Sequence, residues 1–334
     1  MLHLFVNTES SKDPNIIYLS GYNPGFCILI YDDITKRKCM FVSDFEVSMY
    51  SKIKTFAFNR ETLKSKIISY FRIKKLEKMG VNYMCISLYL SKRLKKLLSV
   101  QFVNNSMHFS KIRIKKSPNE LKNIKKACQI TDKIYKQLYL TRKKFRTEKD
   151  IYNFIKLCII KYGVEPAFDP VVATSKNSAE PHHIAGNIKL KGFTIIDFGV
   201  KYNGYCSDMT RVFFYGKPKK GDLELYNQVL TVYSKCILNI RTNRQVKKVD
   251  KIARDILGKN FLHSLGHGLG VEIHERPNLS IFSKDVFENN MVFTIEPGIY
   301  FSGKYGIRFE DTFLLKGNNC INLTKSSNKM VVID

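Results

Sequence analysis

The 334-residue chain sets 56 Lys plus Arg against 29 Asp plus Glu, a formal net charge of +27, and is 44% hydrophobic and 12% aromatic. That apolar content excludes wholesale disorder and low-complexity scaffolding, and the length suits one large domain or two of about 150 residues each. The charge raises a polyanionic partner, but Lys, Ile and Asn are spread along the whole chain, so a compositional bias explains it and no specific nucleic-acid partner is expected.

The eight cysteines, at 27, 39, 85, 128, 158, 206, 236 and 320, show no C-x-x-C or zinc-ribbon spacing and read as small buried hydrophobes in a reducing compartment. The start Met1-Leu2-His3-Leu4 lacks the basic head and long apolar run of a signal peptide. No apolar stretch reaches the roughly 18 residues that would span a membrane. A cytoplasmic protein without a membrane partner is expected.

Strands are predicted at Leu2 to Asn7, Phe26 to Tyr31 and Cys39 to Val42, and helices at Glu61 to Lys78 and Leu90 to Leu98. A boundary follows at Ser117-Pro118-Asn119-Glu120, where a hydroxyl N-cap, a Pro at N1 and a Glu at N3 form a capping box. The domains predicted are 1–112 and 117–334. The helix opened by Ser117 carries Leu121, Ile124, Cys128 and Leu138, and a second, capped by Thr147, carries Ile151, Phe154, Ile155 and Cys158. Strands follow at Pro170 to Thr174, Phe193 to Val200 and Tyr205 to Tyr215. The order then repeats: helices Leu223 to Ile240 and Val246 to Leu257, then strands around Phe261 to His274, Met291 to Glu296 and Tyr305 to Leu315. Asp197-Phe198-Gly199 with Gly204 matches Glu296-Pro297-Gly298 with Gly303. Two similar halves across a central sheet are expected.

Asn203-Gly204 is a two-residue hairpin turn, so Tyr202 faces Tyr205 and Gly199 faces Asp208. Asp197 then shares a sheet face with Asp208, diagonal to it at roughly 7–8 Å or less. Two surface acids would be the plainer reading, but Phe193, Ile195, Ile196 and Phe198 make the strand apolar, and an unpaired buried carboxylate is costly. With Gly303 at a second turn, Glu296 and Glu310 come opposite one another. Arg308, on the face of Glu310, supplies one positive charge against these four acids.

Metal is the compensation that the sequence suggests. His263, His267 and His274 lie at i, i+4 and i+11, and Gly266, Gly268 and Gly270 let the backbone approach closely around His267. One imidazole with four carboxylates is an oxygen-rich set that suits Mn(II), with Co(II) or Zn(II) as alternatives. Two divalent ions balance four carboxylates, and paired ions serve amide and phosphoester hydrolysis.

Three stretches, Asp197-Phe-Gly with Gly204-Tyr-Cys-Ser-Asp208-Met-Thr-Arg211, Gly266-His267-Gly-Leu-Gly with His274-Glu-Arg-Pro277, and Ile295-Glu296-Pro-Gly with Ile307-Arg308-Phe-Glu310-Asp311, resemble the prolidase and Xaa-Pro aminopeptidase group of pita-bread metallopeptidases. Asn15-Ile-Ile-Tyr-Leu-Ser-Gly-Tyr22 is similar to the opening of that family's creatinase-type N-terminal domain. The resemblance implies an α+β chain: a smaller α/β N-terminal domain, then a pita-bread domain of two pseudo-symmetric halves, related to creatinase and methionine aminopeptidase. It implies Asp197 on one metal, Asp208 and Glu310 bridging both, and His267 with Glu296 on the other. It further implies Glu296 as proton acceptor, His274 and His182 at the substrate carbonyl, and His263 holding substrate, with His183 the neighbour that competes with His182 for its role. The implied enzyme is a homodimeric Xaa-Pro peptidase acting on peptides with proline second. The chain departs from the family pattern by starting on a strand without a leading helix. It also has Asn278 where some dipeptidases place an Arg, which tilts the reading toward aminopeptidase. The alternatives are methionine aminopeptidase-like activity and a non-catalytic pita-bread module that binds nucleic acid or ribosomes.

Overall fold

In the computed structural model, which describes residues 1–334, the opening apolar run is β1 (Leu2–Asn7), near the centre of a six-stranded sheet. It belongs to the first of two units, Met1–Ile112 and Arg113–Asp334. In chain order this unit continues with α1 (Pro14–Ser20), β2 (Cys27–Asp32), β3 (Lys38–Val42), β4 (Lys54–Ala57), α2 (Leu63–Phe71), β5 (Lys78–Val81), α3 (Leu88–Leu98), β6 (Gln101–Asn104) and α4 (Ser106–Ile112). The sheet order is β4-β3-β2-β1-β5-β6. Alternation along β1 sends Leu2, Leu4 and Val6 to the face covered by Leu63 and Ile67 of α2 and Leu94 and Leu98 of α3. Phe5 goes to the opposite face, against Ile16 of α1 and Phe109 of α4.

The helix predicted over Glu61 to Lys78 is corrected by the structure. It is α2 alone, because Arg72 turns into the left-handed region (φ 55°) and its N–H closes on the carbonyls of Ile68 and Ser69. Lys78–Val81 is instead a strand, parallel to both β1 and β6. Ser87, whose side chain accepts from the N–H of Leu90, starts α3 two residues before the predicted position.

The second unit opens with α5 (Pro118–Thr141) and α6 (Glu148–Lys161), each begun by a capping box, Ser117 with Glu120 and Thr147 with Asp150. There follow β7 (Glu165–Pro166), β8 (Val171–Thr174), β9 (Gly192–Phe198), β10 (Val200–Tyr202), β11 (Tyr205–Cys206) and β12 (Met209–Tyr215). The pattern repeats with α7 (Lys220–Leu238), α8 (Val246–Leu257), β13 (Gly266–Gly268), β14 (Glu275–Leu279), β15 (Val292–Ile295), β16 (Gly298–Phe301), β17 (Tyr305–Arg308) and β18 (Asp311–Lys316). Strands β19 (Asn319–Asn322) and β20 (Val331–Ile333) close the chain. The strand predicted around Phe261 to His274 shrinks to three residues. Gly266 and Gly268 pack directly on backbone there, since a Cβ would meet Thr294 O at 2.1 Å and Arg276 O at 2.2 Å respectively.

The single central sheet expected is two ladders, β20-β12-β9-β8 and β14-β13-β15-β18-β19. They meet where the N–H of Glu310 donates to the Thr210 carbonyl at 3.3 Å. Helices α5 and α6 pack on the first through Ile134, Ile151 and Ile155 against Ile196, Phe198 and Phe213. Helices α7 and α8 cover the second through Val229, Val232 and Val249 against Phe293 and Phe313.

One buried cation locks the junction. The Arg211 guanidinium, 1% exposed, donates to the carbonyls of Thr210, Glu310, Ser326 and Ser327 and to Asp311 Oδ1 at 2.6 Å. Asp311 accepts in addition from Tyr233 and Thr324. Arg211→Met strands a buried carboxylate and is expected to cost about 3–5 kcal/mol in urea unfolding. A midpoint unchanged from the parent would contradict this role.

Candidate functional site

The two hairpins set the parity of the site. Tyr202 pairs with Tyr205, and the same register carries through to Phe198 opposite Met209 and Asp197 opposite Thr210. Asp208 thus lies one step diagonal to Asp197, opposite Gly199. A Cβ at Gly199 would meet the Ser207 carbonyl at 1.8 Å, so only glycine allows this approach. In the second hairpin Gly298 pairs with Arg308 and Ile295 with Asp311, a register that sets Glu296 across from Glu310. Asp208, Glu296 and Glu310 all fall in breaks between strand segments (β11/β12, β15/β16 and β17/β18). Their backbones bond outside the hairpin ladders, Glu296 N–H to the Leu265 carbonyl at 2.8 Å and Glu310 N–H to the Thr210 carbonyl at 3.3 Å, and all three residues line the cavity.

The acids converge on His267. Its Nε2 lies 3.5 Å from both Asp208 Oδ2 and Glu296 Oε1, while Nδ1 donates to the Gly268 carbonyl at 3.1 Å. That bond assigns the proton to Nδ1 and aims the Nε2 lone pair at the acids. Asp208, His267 and Glu310 each offer a ligand atom within 4.8 Å of the others. Asp197 Oδ1 and Asp208 Oδ1 are buried without any hydrogen-bond partner, the condition a cation would relieve.

The protein's own compensation is partial. Arg308 donates Nη2 to Asp197 Oδ2 at 2.7 Å and Nη1 to Tyr300 Oη at 3.0 Å. Thr210 donates to Glu310 Oε2 at 2.7 Å. Burial, then the neighbouring carboxylates, pushes the Asp208 and Glu310 carboxyls well above the usual range. Glu296 rises to about 8, again chiefly through burial, with Arg308 opposing. Burial and the facing His274 ring lower His267 to about 3. It is a neutral imidazole at physiological pH, as a metal ligand must be.

The surrounding histidines differ in their restraints. His274 packs edge-on to His267 with ring centroids 4.4 Å apart. His263 Nε2 meets Tyr300 Oη at 2.8 Å and Nδ1 meets the Ser264 carbonyl at 2.8 Å; burial and Arg308 hold it at about 4. His182 is exposed on the cavity wall. Its neighbour His183 is instead tied at 2.9 Å to Glu148, a fully buried carboxylate that also accepts from Thr174 N and Gly186 N. Asp197, Asp208, His182, His263, His267, His274, Glu296, Arg308 and Glu310 all line one cavity of about 630 Å³. Three residues that hold this set in place, Thr210, Thr294 and Tyr300, carry no sequence signal of their own. Thr294 Oγ1 accepts from His267 N at 3.1 Å, and only the alternation that aligns it with Glu296 marks it.

The model of metallopeptidase family M24 matches residues 122–317. The chain is 30% identical over 332 residues to an Xaa-Pro dipeptidase of Pyrococcus horikoshii, covering 96% of this chain and 93% of that one. It is 31% identical over 339 residues to the Xaa-Pro dipeptidase of Pyrococcus furiosus, with 96% and 94% covered. Among solved structures, the X-Pro aminopeptidase from Thermotoga maritima superposes with a TM-score of 0.91 at 28% identity, covering 99% of this chain and 97% of that one. The prolidase from Pyrococcus furiosus gives 0.84 at 30%, with 98% and 96% covered. The resemblance drawn from the motifs and the α+β, pita-bread architecture are both borne out. The chain belongs to metallopeptidase family M24, whose chemistry depends on divalent metal.

Proposed function

We propose that the chain is a two-metal exopeptidase that hydrolyses the bond between an N-terminal residue and proline, with an aminopeptidase preference. The observation that carries this reading is the convergence of Asp208, Glu310 and Glu296 on the His267 Nε2 lone pair, with Asp197 Oδ1 and Asp208 Oδ1 buried and unpartnered. Full-length similarity to Xaa-Pro dipeptidases and to an X-Pro aminopeptidase supports the substrate class. Asn278 on the cavity wall offers no cation to the carboxylate of a dipeptide, which favours longer peptides.

Asp197, Asp208 and Glu310 would hold one ion, and Asp208, Glu310, His267 and Glu296 the other; Mn(II) or Co(II) suits this oxygen-rich set, with Zn(II) an alternative. Bound there, the ions supply Lewis acidity and an activated water near neutral pH. Glu296 accepts the proton of the attacking water. His274 and His182 donate to the carbonyl oxygen as charge develops on it. His182 is preferred to His183 for this task because Glu148 already engages His183. His263, fixed by Tyr300 and Ser264, holds the substrate, and Arg308 fixes the Asp197 carboxylate. The first unit is read as a creatinase-type domain. Eight cysteines outside any disulfide, six of them buried, fit a reducing, cytoplasmic setting. A homodimer is part of the reading, checked by sedimentation.

After chelator stripping, Mn(II) or Co(II) should restore cleavage of Ala-Pro-Ala in excess of Ala-Pro. No cleavage of either peptide with any ion would overturn the proposal, and cleavage of Met-Ala in preference to both would redirect it to methionine aminopeptidase. Glu310→Gln should lower kcat/KM roughly a thousandfold or more, several kcal/mol of lost transition-state stabilisation; full activity would remove Glu310 from the ligand set. In the metal-free protein the folded state binds protons at Glu296 that the unfolded state releases above the usual 4.5. Its stability should therefore fall as pH rises from about 6.5, above which the lowered His263 and His267 no longer titrate in either state, toward about 8. Saturating Mn(II) should abolish that fall in a pH series of thermal melts. A metal-free melting temperature that climbs across this window would contradict the assignment.

A further inference from the structure

A second set of metal-capable side chains lies in the first unit, on the face of the sheet that carries α4. His3 sits on β1, Asp33 just after β2, and His108 on α4. The His3 ring is 1% exposed and stacks on His108 with centroids 5.6 Å apart and planes 6° apart. Phe109 closes it edge-on at 5.1 Å. Its Nε2 lies 3.0 Å from Asp33 Oδ2, off the line of a hydrogen bond, and has no hydrogen-bond partner. The three residues each offer a ligand atom within 4.8 Å of the others.

The backbone is built around this ring. Gly80 on β5 stands beside His3 in the parallel register, and a Cβ there would meet His3 Nδ1 at 2.5 Å. The Asn105 amide contacts Nδ1 on its other side. Turned about its last bond, that amide accepts from Nδ1–H, which leaves the Nε2 lone pair facing Asp33 and His108. The second Asp33 oxygen accepts from the Met1 amine, so one carboxylate oxygen remains for a ligand.

We propose that His3, Asp33 and His108 form a Zn(II) site, separate from the M24 cluster, that pins α4 to the sheet of the first unit. Two imidazoles and one carboxylate suit a borderline ion better than Mn(II). Zn(II) with bonds of about 2.0–2.1 Å holds neighbouring ligand atoms roughly 3.3 Å apart, close to the His3 to Asp33 separation. A modest swing of the exposed His108 ring completes the set. Without the ion the buried Nε2 has only the misaligned Asp33 carboxylate beside it; the ion would join the two.

The test is Zn(II) content per chain after saturation with Zn(II) and gel filtration, measured by plasma mass spectrometry on the full-length protein. His108→Ala and Asp33→Asn are compared with the parent. Both substituted positions have solvent access, and metal-free melting temperatures check that the variants fold. Each variant is expected to bind one zinc fewer than the parent. Unchanged zinc content in both variants overturns the site. Loss in only one overturns the three-ligand assignment. Neither outcome depends on peptidase activity.

Discussion

Four carboxylates, Asp197, Asp208, Glu296 and Glu310, share a low-dielectric cavity wall with a single guanidinium, Arg308. The cost of this imbalance is clearest beside its solved neighbour. Asp311, adjacent to Glu310, receives Arg211, Tyr233 and Thr324 and is fully paired. Glu310 receives only Thr210 from a side chain, and Asp208 Oδ1 receives nothing. A closed structural ion pair and an open site thus lie one residue apart in the chain. Such an open set is tolerable when cations complete it, and the M24 membership of the chain makes those cations divalent metals.

The rest of the second unit keeps this imbalance in place. Strand ladders on either side of the acids fix their parity, and the register carries through the breaks at Asp208, Glu296 and Glu310. Gly199 and Gly266 let backbones meet where any side chain would collide with a carbonyl. Arg211 ties the carbonyls of Thr210 and Glu310 together, so the two halves present their acids to each other at fixed spacing. Fold stability and site geometry rest on the same junction.

Much of this was legible in the sequence because tight turns count residues. Asn203-Gly204 and Gly303 fixed two registers, and each register placed one pair of acids on a shared face. The capping residues Ser117 and Thr147 marked two helix starts for an equally local reason. Contacts that form only when distant segments meet were not legible. Tyr300 acquires its role by standing between His263 and Arg308, and Glu148 by reaching His183 across 35 positions. In the first unit the four-residue strand Lys78–Val81 has parallel neighbours and no useful alternation, so it left no strand signal after the predicted helix. The net charge of +27 carried no information about the site, which is locally acidic.

The account stands or falls on whether the buried acids are a cation site. Isothermal titration of the metal-free chain with Mn(II), in parallel with Asp208→Asn, tests this directly because Asp208 is one of the two acids placed on both ions. The account predicts two equivalents bound to the parent at this cluster and their loss or strong weakening in the variant. Identical Mn(II) isotherms for the two proteins would contradict it.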